Sequence, residues 1–373
     1  MLATGGTIAS EDAGSGLAPA LAGADLLALV PAAAGLCEID AVQVMNIDST
    51  NMEPAGWLTL AGALRDAYDS YDGFVILHGT DTMAYTAAGL SYLAQNLAKP
   101  VVLTGSQLPM TAPGTDAARN VLDAVRVACD DAAHGVLVAF GGAVIAGTRA
   151  RKVRTRSFNA FESIGLSVLA RVDDGGQVLW HEGMLDGSVA GAEERGADGR
   201  RPADCDAAGR GPSGCAPLNR AACEPIFYDG LNPRVQVLSL APGVSAGVIE
   251  AMCPHADALV VEAFGLGGVP SCGGVADALL AWTDTSKVIV LATQCPYEGC
   301  DPGVYEVGRA FRNRPGVLVA GDMTREAALA KTMWALAEAQ EPASQAAAGT
   351  GAPINKQKLA TLFATPIAHD RLI

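Results

Sequence analysis

Positive charge is what this 373-residue chain most plainly lacks: 25 lysines and arginines stand against 40 aspartates and glutamates, for a net charge of −15. So acidic a surface repels phosphate backbones and anionic headgroups, and nucleic acid and membrane are not its expected partners. Long apolar runs are missing too. No stretch reaches the ~18 uninterrupted apolar residues of a membrane-spanning helix, and no basic segment leading into an apolar one marks a secretory signal. Nine cysteines, an odd number, are scattered without the spacing of a zinc site, even at the nearest pair, Cys295 and Cys300. That usage suits reduced thiols and points to a cytoplasmic protein with no metal and no other cofactor. Several catalytic signatures are absent as well. There is no lysine–serine pair closing a phosphate loop and no G-x-G-x-x-G after a strand. Neither a G-x-S-x-G elbow nor a cysteine beside a suitable histidine signals a serine or thiol hydrolase.

Glycine, proline and apolar residues are plentiful: 43 glycines, 20 prolines and half of all residues hydrophobic. This is a globular composition with many turns, long enough for two domains with a core each. The pattern reads as α/β, with two doubly wound parallel-sheet domains, a larger N-terminal and a smaller C-terminal one. Trp57, Leu60, Leu64 and Tyr68 recur at three- and four-residue spacing behind Pro54, which predicts an amphipathic helix over 54–69. Apolar runs predict strands at 74–77, 101–103 and 136–140, with helices over 81–97 and 115–130 between them. Such alternation makes a parallel sheet covered on both faces. It stops at 186–222, a stretch of glycine, alanine, proline and charge that reads as a solvated excursion holding Cys205 and Cys215. It resumes with strands at 235–240, 258–264, 287–292 and 317–320 and helices at 244–252, 274–282, 304–312 and 324–339. The expected domains are residues 1–184, a linker over 185–232, and a C-terminal α/β domain over 233–373.

In open parallel sheets, ligands gather beyond the carboxyl ends of the strands. Three such ends run into glycine and small hydroxyls: "TGGT" at 4–7, "HGTDT" at 78–82 and "TGSQ" at 104–107. A fourth cluster, Asp48-Ser49-Thr50-Asn51, lies between a short strand and a helix. Any one of them is also what a strand-to-helix turn with hydroxyl caps looks like; four together favour a site. With commoner nucleophiles excluded, what remains is a threonine hydroxyl, weak until a neighbouring base takes its proton. Asp81 offers a carboxylate beside Thr80, and "GTRARKVRTRS" at 147–157 offers Lys152, a base if burial and neighbours lower its pKa. Read alone, that stretch is more often a solvated basic patch.

"TGGTIAS" at 4–10 followed, about seventy residues on, by "HGTDTMAYTA" at 78–87 resembles the paired signatures of the bacterial-type L-asparaginases, a family that includes glutaminase-asparaginases. The similarity runs through "NIDSTNM", "KPVVLTGSQLP", "GTRARK", "LAPGV", "FGLGGVP", "LATQC" and "GDMTREAALAK", and so covers nearly the whole chain outside 186–222. "GFVILHGTDTMAYTA" and "TGSQLP" look most like the cytoplasmic type I branch. The resemblance implies hydrolysis of L-asparagine to L-aspartate and ammonia by a homodimer or homotetramer, with asparagine preferred to glutamine. It implies Thr7 as the nucleophile that becomes acylated, and Thr80, Asp81 and Lys152 as the group that activates a hydroxyl or water. Ser49, Thr50, Gly79 and Ser106 are the implied substrate contacts, Ser49 acting with Asp81 on the α-carboxylate and α-amino groups. Backbone N–H groups near Thr80 and Ser106 would face the oxyanion, where such donors are worth ~10²–10³ in rate. "LATQC" adds Thr293 and Cys295 as candidate contacts of a regulatory second asparagine.

The chain also departs from the family pattern. Where many relatives place a tyrosine in the loop after TGGTIA, "SGLAPA" offers Leu17, while Tyr71 and Tyr85 read as core residues. Where relatives contribute an asparagine from a neighbouring subunit, "GLGG" gives Gly268, leaving Glu298 or Glu306 as replacement partners. The sequence opens three residues before TGGT, so the strand carrying Thr7 is expected to be short. Two other readings stay open: a tRNA-linked amidotransferase subunit, which the acidic surface and the lack of an added N-terminal domain disfavour, and an asparagine sensor with impaired catalysis.

Overall fold

Residues of the short apolar runs alternate between two buried surroundings, and that alternation builds the larger sheet. The computed structural model describes residues 1–12, 17–19, 23–181, 224–285, 287–340 and 354–372. Its first sheet has eight strands: β1 (Leu2–Gly5), β2 (Val42–Ile47), β3 (Phe74–Leu77), β4 (Pro100–Thr104), β5 (Gly135–Phe140), β6 (Ala143–Ala146), β7 (Ala170–Val172) and β8 (Val178–Trp180). They lie in the order β8-β7-β6-β5-β4-β3-β1-β2. Strands β1 to β5 are parallel, as expected, in the order 2-1-3-4-5. Strands β6 to β8 extend the sheet as an antiparallel edge that strand–helix alternation does not predict. Its cause is local. Gly141 and Gly142, at φ 58° and 75°, form the two-residue connection between β5 and β6, and two consecutive positive φ values are what a tight hairpin turn needs.

On β3, Phe74 and Ile76 face helices α1 (Pro54–Ala67) and α2 (Met83–Leu93), whereas Val75 and Leu77 face α3 (Ala117–Ala128). Two-sided burial is what a parallel strand requires. Although β1 is only four residues long, it is hydrogen-bonded to a parallel neighbour on each side.

The second sheet is wholly parallel, in the order β9 (Val235–Ser239), β10 (Ala258–Ala263), β11 (Val288–Thr293), β12 (Val317–Val319). One of its faces packs on α4 (Ala246–Met252) and α5 (Val275–Thr283) through Leu259, Val261, Ile289, Leu291, Leu279 and Trp282. The other, with Val260 and Val290, joins the core that runs through α6 (Arg325–Ala339) to α2 and the first sheet. Tyr92 of α2 stacks on Trp334 of α6 with ring centroids 6.1 Å apart. A last helix, α7 (Lys356–Ala364), was not expected, and the helix expected over 304–312 is reduced to Glu306–Arg309. A side chain at Gly308 would meet the Pro302 carbonyl oxygen at 2.2 Å, so the loop, not helical periodicity, sets the backbone there.

Among the described residues no helix is long and apolar enough to cross a membrane. Cys205, Cys215 and the rest of 186–222 lie outside the described residues.

Candidate active site

In the order 2-1-3-4-5 the connection leaving β1 and the one leaving β3 run to opposite sides, and sheets of this kind open a crevice between such strands at their carboxyl ends. The first cluster follows β1. Thr4, 1% exposed, donates its hydroxyl to the Leu77 carbonyl at 3.0 Å and so ties β1 to β3. Gly5 and Gly6 follow at φ 97° and 82°, a region open to glycine, and deliver Thr7 to the start of a single 3-10 turn, Thr7–Ala9. Thr7 is half-buried, and among the described residues its hydroxyl has no hydrogen-bond partner.

The second cluster, after β3, lies directly against the first. A Cβ on Gly6 would sit 2.4 Å from the Gly79 Cα, and one on Gly79 would sit 2.5 Å from the Ser49 Oγ. Glycine at both positions therefore brings three strand ends into contact. Ser49 is buried in the 3-10 turn Ser49–Asn51, and its carbonyl accepts a hydrogen bond from the Thr82 hydroxyl at 2.7 Å. Thr50 is exposed, and its backbone N–H and its hydroxyl both donate to Asp48 Oδ1 at 2.9 Å. It closes the turn more than it addresses the crevice.

Catalytic-type contacts converge on Lys152. Its Nζ donates to Thr80 Oγ1 at 2.8 Å and to Asp81 Oδ1 at 2.6 Å. The Lys152 side chain is 17% exposed and that of Asp81 is 57% exposed, so the pair joins the buried Thr80 to the open crevice. Thr80 donates its own proton to Gln107 Oε1 at 3.3 Å, and Gln107 in turn donates through Nε2 to the Ser157 carbonyl at 3.2 Å. Sequence alone places Gln107 in its cluster without a role; nothing in "TGSQ" says the amide turns onto Thr80. Buried Ser106 donates its hydroxyl to the Leu108 carbonyl, and the Gln107 N–H goes to Asp116 at 3.0 and 3.1 Å. Lys152 itself lies on a short strand, Ala150–Lys152, paired antiparallel with Phe161–Ser163.

His78 looks like a candidate base and is none. It is fully buried, and burial lowers its pKa to about 4, so the ring is neutral at pH 7. Its Nδ1 faces the Gly79 carbonyl at 2.7 Å, an acceptor, so the proton sits on Nδ1 and Nε2 accepts from Thr86 Oγ1 at 2.9 Å.

Apart from Leu17, whose strand lies beside the Thr7–Ala9 turn, the remaining expected residues lie elsewhere. Thr293, at the end of β11, donates to the Gly265 carbonyl at 2.6 Å and accepts from the Cys295 N–H at 3.0 Å, which fixes a turn and leaves the Cys295 thiol exposed. Gly268 pairs with Phe264 in an isolated bridge. Glu298, at φ 72° on a second-domain loop, and Glu306, at the start of the short helix Glu306–Arg309, are both exposed. Leu17 is opposite Asp12 in a small hairpin of strands Ser10–Asp12 and Leu17–Pro19. Tyr71 bonds Asp40 at 2.7 Å near the amino end of β3, away from the crevice. Tyr85, whose pKa is raised by burial and by Glu326, points to Arg325 and the second domain.

A hydroxyl, a lysine and a carboxylate in hydrogen-bond contact, near a second threonine whose hydroxyl has no partner among the described residues, make an arrangement able to pass protons between side chains. The family description "Asparaginase, N-terminal" matches residues 1–185, and "Glutaminase/Asparaginase C-terminal domain" matches residues 234–348. An L-asparaginase of Thermococcus kodakarensis is 37% identical over 346 residues, 91% of this chain and 93% of that protein. One component of the glutamyl-tRNA(Gln) amidotransferase of Halobacterium salinarum is 34% identical over 354 residues, 92% of this chain and 76% of that protein. The solved structure of the thermostable L-asparaginase from T. kodakarensis superposes with a TM-score of 0.79 at 34% identity, covering 100% of this chain and 98% of that one. With both family domains matched in order around such a crevice, the chain belongs to the asparaginase family of amidohydrolases.

Proposed function

We propose that the chain is an L-asparaginase that hydrolyses the side-chain amide of L-asparagine to L-aspartate and ammonia through an acyl-enzyme on Thr7. The observation that carries this reading is the Lys152 Nζ held between Thr80 Oγ1 and Asp81 Oδ1, one residue on from the glycine contact that brings the Thr7 loop alongside. Thr7 Oγ adds to the amide carbon, and its proton passes to the departing nitrogen, which leaves as ammonia. Water then adds to the ester carbon, the Thr7 C–O bond breaks, and aspartate is released. Thr80, Lys152 and Asp81 relay the protons of these two steps. Backbone N–H groups at Thr80 and Ser106 face the oxyanion. Ser49 and the outer face of Asp81 hold the α-carboxylate and α-ammonium of the substrate, beside Gly79 and Thr50.

Ammonia release from free asparagine by the purified chain tests the reading. Thr7→Ala is expected to abolish turnover while asparagine still binds, and full turnover by that variant refutes the assignment. The amidotransferase reading has one specific observation in its favour, the 34% identity to the H. salinarum protein; turnover only with a charged tRNA partner would establish it. Binding without turnover in the unaltered chain would make it a sensor. One methylene separates asparagine from glutamine, typically ~1–3 kcal/mol in a pocket; asparagine is the proposed preference, and a kcat/KM for glutamine equal to that for asparagine overturns it. The reading includes a cytoplasmic homodimer or homotetramer and the division into 1–184, 185–232 and 233–373; sedimentation of a fully active monomer removes the first.

A further inference from the structure

We propose that Arg149 is a positioning residue for Lys152: it clamps the strand that carries the lysine onto the second domain and the turn at 367–372. The inference rests on the catalytic reading of Lys152. Along 149–152 the side chains alternate. Lys152 points to Thr80 and Asp81 in the crevice, whereas Arg149 and Arg151 point the other way, to Asp322 at 2.9 Å and Glu326 at 3.9 Å, on and just before α6. Period-two alternation thus turns one face of a short strand to Thr80 and Asp81 and the other to the second domain.

Arg149 is fully buried, and each of its three guanidinium nitrogens has a partner. Nε donates to the His369 carbonyl at 2.6 Å, Nη1 to the Asp322 carbonyl at 2.8 Å and the Ile164 carbonyl at 3.4 Å, and Nη2 to Asp322 Oδ2. The neighbouring Thr148 repeats the attachment: its hydroxyl donates to the Ala368 carbonyl at 2.6 Å, and its carbonyl accepts from Thr324 Oγ1 at 2.9 Å. Ala368 and His369 both have positive φ, 48° and 63°, without being glycine. Two such residues in succession form an uncommon, costly backbone, and here both of their carbonyls serve Thr148 and Arg149. Asp322 is held in turn by the Leu372 N–H at 3.1 and 3.2 Å. The strand below Lys152 is therefore fixed from three separate segments, and a point charge on a flexible stem cannot replace a fork that reaches all of them.

The test measures asparagine hydrolysis by the full-length chain carrying Arg149→Lys, Asp322→Asn or Lys152→Met, and the double variants with Lys152→Met. Arg149→Lys keeps the buried charge, and Asp322→Asn approaches the clamp from the other side. Either is expected to lower kcat ~10–100-fold, the scale of a roughly 1 Å misplacement, with KM within about twofold of the unaltered chain. In the Lys152→Met background the same changes are expected to lower kcat no further, because their effect passes through the lysine. Equal fold-losses in both backgrounds, or unchanged kcat with only a lower melting temperature, would overturn the proposal and leave Arg149 a residue of the fold. Full activity of Lys152→Met alone would instead strike the catalytic reading, and the clamp with it.

Discussion

The two threonines of TGGT should answer the same substitution in opposite ways. Thr4 is 1% exposed and its hydroxyl donates to the Leu77 carbonyl at 3.0 Å, joining the strands on either side of the crevice. Thr4→Val keeps the shape and sets a methyl against that carbonyl, which costs ~1–3 kcal/mol for the lost bond and the desolvated acceptor. In a domain of this size that lowers the melting temperature by roughly 2–12 °C, with kcat expected within about threefold of the unaltered chain. Thr7 is half-buried and has no partner for its hydroxyl among the described residues. Thr7→Val should therefore move stability by less than ~0.5 kcal/mol, while kcat falls on the order of 10⁴-fold or more, the scale set by losing a nucleophile. Thermal melts and a coupled ammonia assay on the two variants give both quantities. If Thr7→Val keeps more than a few per cent of activity, or if Thr4→Val abolishes activity without destabilising, the division of labour between the two hydroxyls is wrong.

Gly6→Ala should lose activity ~10²-fold or more, since φ 82° and a Cβ 2.4 Å from the Gly79 Cα force the Thr7 loop away from its partner; steady-state kinetics checks it. Asp370→Asn strands Lys331, whose Nζ lies 2.6 Å from Asp370 with both side chains fully buried, and should cost ~3–5 kcal/mol in urea melts. His78 has its pKa lowered by burial from 6.5 to about 4, so between those values the unfolded chain takes up a proton that the fold refuses. Stability is then full above pH 6.5 and falls across this window by on the order of 3 kcal/mol. His78→Asn, which does not titrate, should lose less stability than the unaltered chain between pH 7 and pH 4.5, and equal losses would refute the assignment.

The parallel strands are legible in the sequence, because a strand buried on both faces is an uninterrupted apolar run: 74–77 coincides with β3, and 258–264 runs one residue past β10. The antiparallel edge is less plain, although it leaves a signal. Two apolar runs, 135–140 and 143–146, are separated by Gly141-Gly142 alone, which is a hairpin connection. Helix α7 escapes periodicity because it is short; its buried residues are Leu359 and Phe363, four apart, behind the cap that Asn355 gives the Lys358 N–H at 3.0 Å. At the crevice, the clusters after β1, β2, β3 and β4 are legible from strand ends alone. The contacts of Lys152 are not, because its stretch reads as a basic patch and its partners Thr80 and Asp81 lie 72 and 71 residues away in sequence. Family resemblance supplies that pairing, and it does not supply Gln107.

Composition cannot rank the hydroxyls of these clusters; their hydrogen-bond partners can. Thr4, Ser10, Thr82 and Ser106 each donate to a main-chain carbonyl, Thr50 to Asp48, and Thr86 bonds His78, so all are committed to holding loops together. Thr80 is different, because its oxygen accepts from an ammonium that a carboxylate also holds. Two of the four threonines in TGGT and HGTDT, Thr4 and Thr82, are thus scaffolding that lets glycine backbones meet. The same accounting bears on the second domain. Among the described residues, Arg149 and Arg151 reach it by ion pairs, and Glu162, on the strand paired with theirs, accepts from Tyr297 at 3.2 Å. Those contacts surround the Lys152 strand, not the Thr7 loop. Loosening the two domains should therefore disturb the proposed relay through Lys152 before it disturbs the proposed nucleophile, and kcat should respond before asparagine binding does.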